Sequence, residues 1–245
     1  MHVLVTRPET DAAELKAALE AQGHEVTVEP LLTIEMTPIE ADNFAGACGV
    51  IATSRNSLRA LAAGEALARA AKLPVFAVGA ATAELARELG FQRITAGEGS
   101  ASDLIPLILN SKVGEKGPLV HIAGEEVAFD LGAELRSRGI EVRKVTAYRA
   151  TAAPSLSPQA AQAIARGSLD AVILMSPRTA TIFAAVVGKA GLSEPAGRLA
   201  YVCLSANVAA ALKGLAPTRI NIAVRPNSSA ILDAVGRVAT HSSGV

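Results

Sequence analysis

Two parallel sheets covered by helices are predicted for this chain, and three features of the sequence carry that expectation. Runs rich in Val, Ile and Leu alternate with alanine-rich stretches along almost the whole length. Most of those runs are apolar at every position, as strands are when helices cover both faces of a parallel sheet. A leucine–glycine pattern then recurs out of order, which divides the strands between two sheets.

Taken in order, the first strand-like run is 2–6, followed by a stretch in which Ala12, Leu15 and Leu19 recur at helical spacing. Further runs lie at 26–30, 49–53, 74–79, 92–96, 119–123, 142–147, 171–176, 199–204 and 219–224. So many strands would make an unusual single open sheet, so two five-stranded sheets are expected. The alternation of strand and helix gives the α/β class.

The repeat sets the domain organisation. Leu15-x-x-x-Leu19-x-x-x-Gly23-x-Glu25-Val26 reappears as Leu131-x-x-x-Leu135-x-x-x-Gly139-x-Glu141-Val142. The run ending in Thr53-Ser54 pairs with the run ending in Met175-Ser176, and 75–83 pairs loosely with 200–208. The leucine–glycine unit comes first at the N-terminus but last in the middle segment. The expected layout is therefore a lobe made of 1–33 and 153–241, with 36–149 inserted as a permuted copy. Two flavodoxin-like lobes facing a cleft follow, with paired chain crossings near 32–38 and 148–154 that favour a hinge.

Composition excludes several classes. Lys plus Arg and Asp plus Glu are 23 each, so no basic field attracts nucleic acid. Aromatics make up 3% and tryptophan is absent, which removes a base-stacking platform. The longest apolar stretch, 169–187, contains Asp170, Pro177 and Arg178, so no membrane span is expected. The N-terminal run is too short for a signal peptide, and a cytoplasmic protein is expected. Cys48 and Cys203 form no CxxC pattern and read as small buried hydrophobes.

Nucleotide-loop, lipase, zincin and EF-hand signatures are missing, and the histidines at 2, 24, 121 and 241 are scattered. Neither a metal site nor a histidine triad is indicated. Gly97-Glu98-Gly99-Ser100 reads as a plain strand-to-helix turn. What recurs is a small polar residue where a strand ends and a helix begins: Thr6-Arg7-Pro8, Thr53-Ser54-Arg55-Asn56, Gly79-Ala80-Ala81-Thr82, Gly124-Glu125, Ser176-Pro177-Arg178-Thr179 and Ser205-Ala206-Asn207. Open α/β sheets bind ligands at that edge, and helix N-termini there suit anions. The same residues can equally be ordinary helix caps.

Val3-Leu4-Val5-Thr6-Arg7-Pro8 resembles the opening of uroporphyrinogen-III synthases. Ile51-Ala52-Thr53-Ser54-Arg55-Asn56, Ala77-Val78-Gly79-Ala80-Ala81-Thr82-Ala83, Tyr148 after the seventh run, and Ser176-Pro177 also match, in order, over nearly the whole chain. Two departures stand out. Leu204-Ser205-Ala206-Asn207-Val208 lies where many members carry Gly-x-x-Thr-Ala, and the family's Ser-Pro-Arg appears as Ser54-Arg55-Asn56.

The resemblance implies two lobes joined by a short two-stranded linker, with the active site in the cleft. It implies hydroxymethylbilane as substrate, no metal and no organic cofactor. The terminal hydroxyl leaves to give an azafulvene, a spiro intermediate forms, and it reopens and recloses with ring D inverted. Tyr148 becomes the candidate to assist the leaving hydroxyl, or else a hinge tyrosine that packs. Arg7, Thr53, Ser54, Asn56, Gly79, Ala80, Thr82, Gly124, Ser176, Pro177, Arg178, Ser205 and Asn207 become the candidate substrate contacts. A monomer is expected, with possible hand-over of substrate from the preceding pathway enzyme. A non-catalytic two-lobe protein that binds a small anion, or a regulatory module, is the rival reading.

Overall fold

The structure is a computed structural model that describes residues 1–127 and 129–242. Along the chain run β1 (His2–Val5), α1 (Glu9–Ala21), β2 (Glu25–Val28), β3 (Leu32–Met36) and β4 (Gly49–Ala52). Next come α2 (Arg55–Ala62), α3 (Leu67–Ala70), β5 (Val75–Ala77), α4 (Ala80–Glu88), β6 (Ile94–Ala96), α5 (Leu104–Ser111), β7 (Leu119–Gly124), α6 (Leu131–Ser137) and β8 (Val142–Ala152). The chain finishes with α7 (Pro158–Ala165), β9 (Ala171–Leu174), α8 (Pro177–Lys189), α9 (Ser193–Gly197), β10 (Ala200–Cys203), α10 (Ala206–Ala210), β11 (Arg219–Ile222) and α11 (Ser228–Ser242).

The contacts divide the chain into two compact units, one of Met1–Thr33 with the chain from Thr151 onward, the other Ile34–Ala150. In the first, a sheet of order β11-β10-β9-β1-β2 pairs in parallel throughout. Side chains alternate across it and both faces are buried. Leu4, Val172, Leu174, Tyr201 and Cys203 pack on α7, α8 and α10, while Val3, Val5, Ile173 and Val202 pack on Leu15 and Leu19 of α1 and on α11. Each large side chain so buried contributes roughly 1.5–3 kcal/mol, which is why continuous apolar runs form these strands. At the far end of β2, the Glu29 carboxylate is 5% exposed and accepts from the Ser157 N–H at 2.7 Å and its hydroxyl at 2.5 Å, anchoring the start of α7.

The second unit holds a sheet of order β3-β8-β7-β4-β5-β6, with the strands from β8 to β6 parallel. One face, with Val50, Ala52, Val75, Val120 and Ile122, packs on α2, α3 and α4; the other, with Ile51, Phe76 and Leu119, packs on α5 and α6. This sheet has six strands where five were expected. The extra strand, β3, exposes Thr33, Glu35 and Met36, so it lacks the continuous apolar run that marks the others. Its partner β8 also continues to Ala152, five residues past the expected run.

The two leucine–glycine units fold alike. Leu15 and Leu19 of α1 and Leu131 and Leu135 of α6 are all buried. Gly23 and Gly139 follow at φ +80° and +81°, left-handed positions that glycine occupies without strain. The next N–H returns to the second leucine's carbonyl in both, His24 to Leu19 and Ile140 to Leu135, each at 3.1 Å.

Candidate functional site at the strand ends

In the second unit, β4 ends at Ala52 and the chain turns through Thr53 and Ser54 into α2. Ser54 is extended and caps the helix: its Oγ accepts from the Ser57 N–H at 3.2 Å. The same oxygen lies 3.1 Å from Ser57 Oγ and 2.9 Å from the Tyr148 hydroxyl. Asn56 is half-buried, and its side-chain oxygen accepts from Arg59 at 2.9 Å within the helix.

Thr53 points to the other face, where its hydroxyl is 3.1 Å from His121 Nε2. His121 is 3% exposed; burial, helped by the Lys144 charge and opposed by Asp130, lowers its pKa to about 4. The ring is therefore neutral near pH 7, with one nitrogen a donor and the other an acceptor. Sequence reasoning set this histidine aside as scattered. Only the pairing of β4 with β7, which brings Ile51 beside His121, puts the ring within reach of Thr53.

A local irregularity in β8 places Tyr148. Val142 packs on the α5–α6 face, whereas Val145 and Ala147 pack on the α2–α4 face, as alternation requires. Tyr148 should then face away from α2. Instead the register slips at Ala123–Gly124, so that Gly124 pairs with Tyr148 rather than Ala147, and Tyr148 joins the α2 face. Gly124 makes room for the ring: a Cβ there would lie 2.9 Å from its Cε2 and Cζ. Beside it, the Glu125 N–H donates to the Tyr148 carbonyl, and the Glu125 carboxylate pairs with Arg149 at 2.5 Å. That exposed pair holds the Glu125 carboxyl below its usual range.

At the end of β5, Gly79 precedes α4 in an extended conformation with no side chain to cap the helix. Ala80 and Ala81 are exposed, so what this end offers is backbone N–H groups. Thr82 is 4% exposed and lies on the packed side of α4.

The first unit repeats the serine cap. Ser176 Oγ accepts from the Thr179 N–H at 3.1 Å and lies 2.7 Å from Thr179 Oγ1, with Pro177 at the first helical position of α8. Arg178 is half-buried on that first turn. Arg7 reaches across β1 to Met175 Sδ at 3.4 Å and lies 3.6 Å from the Asp11 carboxylate, which offsets its charge. Thr6 is buried and donates to the Ile173 carbonyl at 2.8 Å, so its hydroxyl belongs to the core. Ser205, not Asn207, caps α10, accepting from the Val208 N–H at 3.4 Å; Asn207 is exposed on the first turn. Pro177 and Asn207 lie on an open groove of about 780 Å³ between α8 and α10. Ala184, Gly188, Ala210 and Ala211 line it along the helices, and among the described residues Lys213 is the one charged residue on its lining.

Cys203 is buried, whereas Cys48 is only half-buried, its thiol donating to the carbonyls of Gly117 at 2.8 Å and Val113 at 3.0 Å. Those carbonyls, left over where the 113–118 turns meet the strand, hold the thiol near the surface and correct the expectation of a buried side chain. Among the described residues no group of three His, Cys, Asp or Glu side chains could hold a metal ion. No helix among them is long and apolar enough to cross a membrane.

Parallel sheets flanked by helices, with serine-capped helix starts at strand ends, define an α/β protein, a class whose ligands bind at that edge. A family model described as uroporphyrinogen-III synthase HemD matches residues 13–233. The chain belongs to the uroporphyrinogen-III synthase family. No curated protein matches. Among solved structures, a uroporphyrinogen-III synthetase from Helicobacter pylori is similar with TM-score 0.66 and 16% identity, over 97% of this chain and 99% of that one. A mutant uroporphyrinogen III synthase from Thermus thermophilus is similar with TM-score 0.62 and 19% identity, over 98% and 99%. At these identities the likeness concerns the fold.

Proposed function

We propose that the protein is a uroporphyrinogen-III synthase that converts hydroxymethylbilane into uroporphyrinogen III as a cyclising hydro-lyase. Family membership supports an enzyme of tetrapyrrole synthesis acting on a small tetrapyrrole. The observation that carries the chemistry is the Tyr148 phenol, half-buried and hydrogen-bonded to the cap of α2 at 2.9 Å. A phenol at that place can give its proton to the departing hydroxyl. Water then leaves with the electron pair of the C–O bond, and the proton lost when the closed ring regains aromaticity restores the phenol.

The remaining groups hold the substrate. Ser54, Ser176 and Ser205 at helix starts, with Thr53, Asn56, Arg7, Arg178 and Asn207, are assigned to its carboxylates. The bare start of α4 at Gly79, Ala80 and Thr82 contributes backbone N–H groups. Such contacts suit a polyanion without a net basic charge. The order β2-β1-β9-β10-β11 supports a flavodoxin-like reading of the first unit. Because the azafulvene forms readily and closes unguided to the wrong isomer, the enzyme's contribution is mainly positional. The test is to supply hydroxymethylbilane to protein dialysed against a chelator and separate the uroporphyrinogen isomers. Type III is expected; the spontaneous type I product alone would overturn the assignment.

A further inference from the structure

We infer that Ser57 and Ser54 are positioning residues that fix the direction of the Tyr148 hydrogen bond, so that the phenol oxygen accepts and its proton is left for the substrate. The argument is one of counting donors. Ser57 is 0% exposed, and among the described residues Ser54 Oγ is its hydroxyl's partner, at 3.1 Å. A buried hydroxyl proton must find an acceptor, so Ser57 donates to Ser54. Ser54 Oγ also accepts the Ser57 N–H at 3.2 Å, a bond that this N–H shares with the Ser54 carbonyl at 3.2 Å, so both of its lone pairs face donors. Its own proton remains, and the group left to receive it is the Tyr148 oxygen at 2.9 Å.

The opposite direction, Tyr148 donating to Ser54, would put a third donor on Ser54 Oγ and push the Ser57 N–H onto the Ser54 carbonyl alone. The relay therefore runs Ser57 to Ser54 to Tyr148. A donor aimed at the phenol oxygen stabilises negative charge as it develops there while the proton departs. The inference rests on the reading of Tyr148 as proton donor, and it moves Ser54 from substrate contact to positioning residue.

The test combines steady-state kinetics for type III formation with the paired tyrosine ring bands of the Raman spectrum, whose intensity ratio reports whether a phenol oxygen accepts or donates. Tyr148 and Tyr201 are the two tyrosines, and the buried Tyr201, which donates to the Ala196 carbonyl, gives a constant background that Tyr148→Phe isolates. Tyr148 in the unaltered protein should read as an acceptor. Ser57→Ala frees a lone pair on Ser54, so the ratio should move toward a donor, and kcat should fall on the order of tenfold at unchanged KM. Ser54→Ala should also lower kcat, and Ser54→Thr should restore it. In the Tyr148→Phe background, Ser57→Ala should do nothing more. A donor signature in the unaltered protein, or a rise in KM alone for Ser54→Ala, would overturn the relay. An acceptor signature with full turnover in Tyr148→Phe would uphold the relay and remove Tyr148 from the chemistry, so the two readings fail separately.

Discussion

The Tyr148 ring lies against the Cα of Gly124, at a place where any side chain would press into it: a Cβ would sit 2.9 Å from two ring carbons and 3.2 Å from the hydroxyl. Gly124 is also where the β7–β8 register slips. One residue thus supplies both the space and the irregularity that bring the phenol to Ser54.

Gly124→Ala should accordingly displace the ring and break the bond to Ser54. Turnover should fall on the order of tenfold or more, while far-ultraviolet circular dichroism stays unchanged. Overpacking of this kind typically costs about 1–3 kcal/mol, so urea unfolding should register a modest loss. Unchanged turnover would show that the ring can shift without consequence.

Tyr148→Phe keeps the ring and removes the proton. Losing an assisting acid costs about 10²–10⁴-fold in general. The lower end is expected here, because the hydroxyl departs readily from an electron-rich pyrrole. Initial rates of type III formation provide the check, and a wild-type rate would reassign Tyr148 to packing.

The strand-end hydroxyls should share the work of holding substrate. If Ser176 holds a substrate carboxylate as proposed, Ser176→Ala should remove one such hydrogen bond, worth about 1.5–3 kcal/mol, while the α8 N–H groups remain. The variant should be impaired yet still form type III. Asn207→Ala should behave likewise, and a Ser176→Ala/Asn207→Ala double variant should release more type I. A folded single variant with no activity would contradict distributed holding.

His121 gives a pH signature in stability. Its folded pKa of about 4 lies below the ordinary 6.5, so between those values the unfolded chain binds the extra proton. Stability is then complete above pH 6.5 and falls as the pH drops toward 4, by about 3 kcal/mol in all. Urea titrations at several pH values should show this slope, and His121→Gln should flatten it. An unaltered slope in the variant would place the titrating group elsewhere.

The sequence made some of this legible and hid the rest for identifiable reasons. Strands such as 50–52 and 171–174 were readable because both faces are buried, which makes every position apolar. β3 was not, because its exposed Glu35 and Met36 break that pattern. The six strand-end segments could be located, since a glycine or a small polar residue closes each apolar run. What could not be seen was their pairing. Thr53 with His121 depends on β4 lying beside β7, and Tyr148 with Ser54 depends on a register slip that reverses the facing of one residue. The spacing Ser54-x-x-Ser57, matched by Ser176-x-x-Thr179, was in the sequence and was the signal for the doubled cap.

The most direct measurement is the isomer composition from hydroxymethylbilane mixed with increasing amounts of the protein and quenched before unguided closure is complete. Because spontaneous closure gives type I and guided closure type III, the ratio reads the protein's contribution. The account predicts that type III rises with protein until it is essentially the whole product. A product that stays type I at every protein concentration, with hydroxymethylbilane merely consumed at the spontaneous rate, would contradict it.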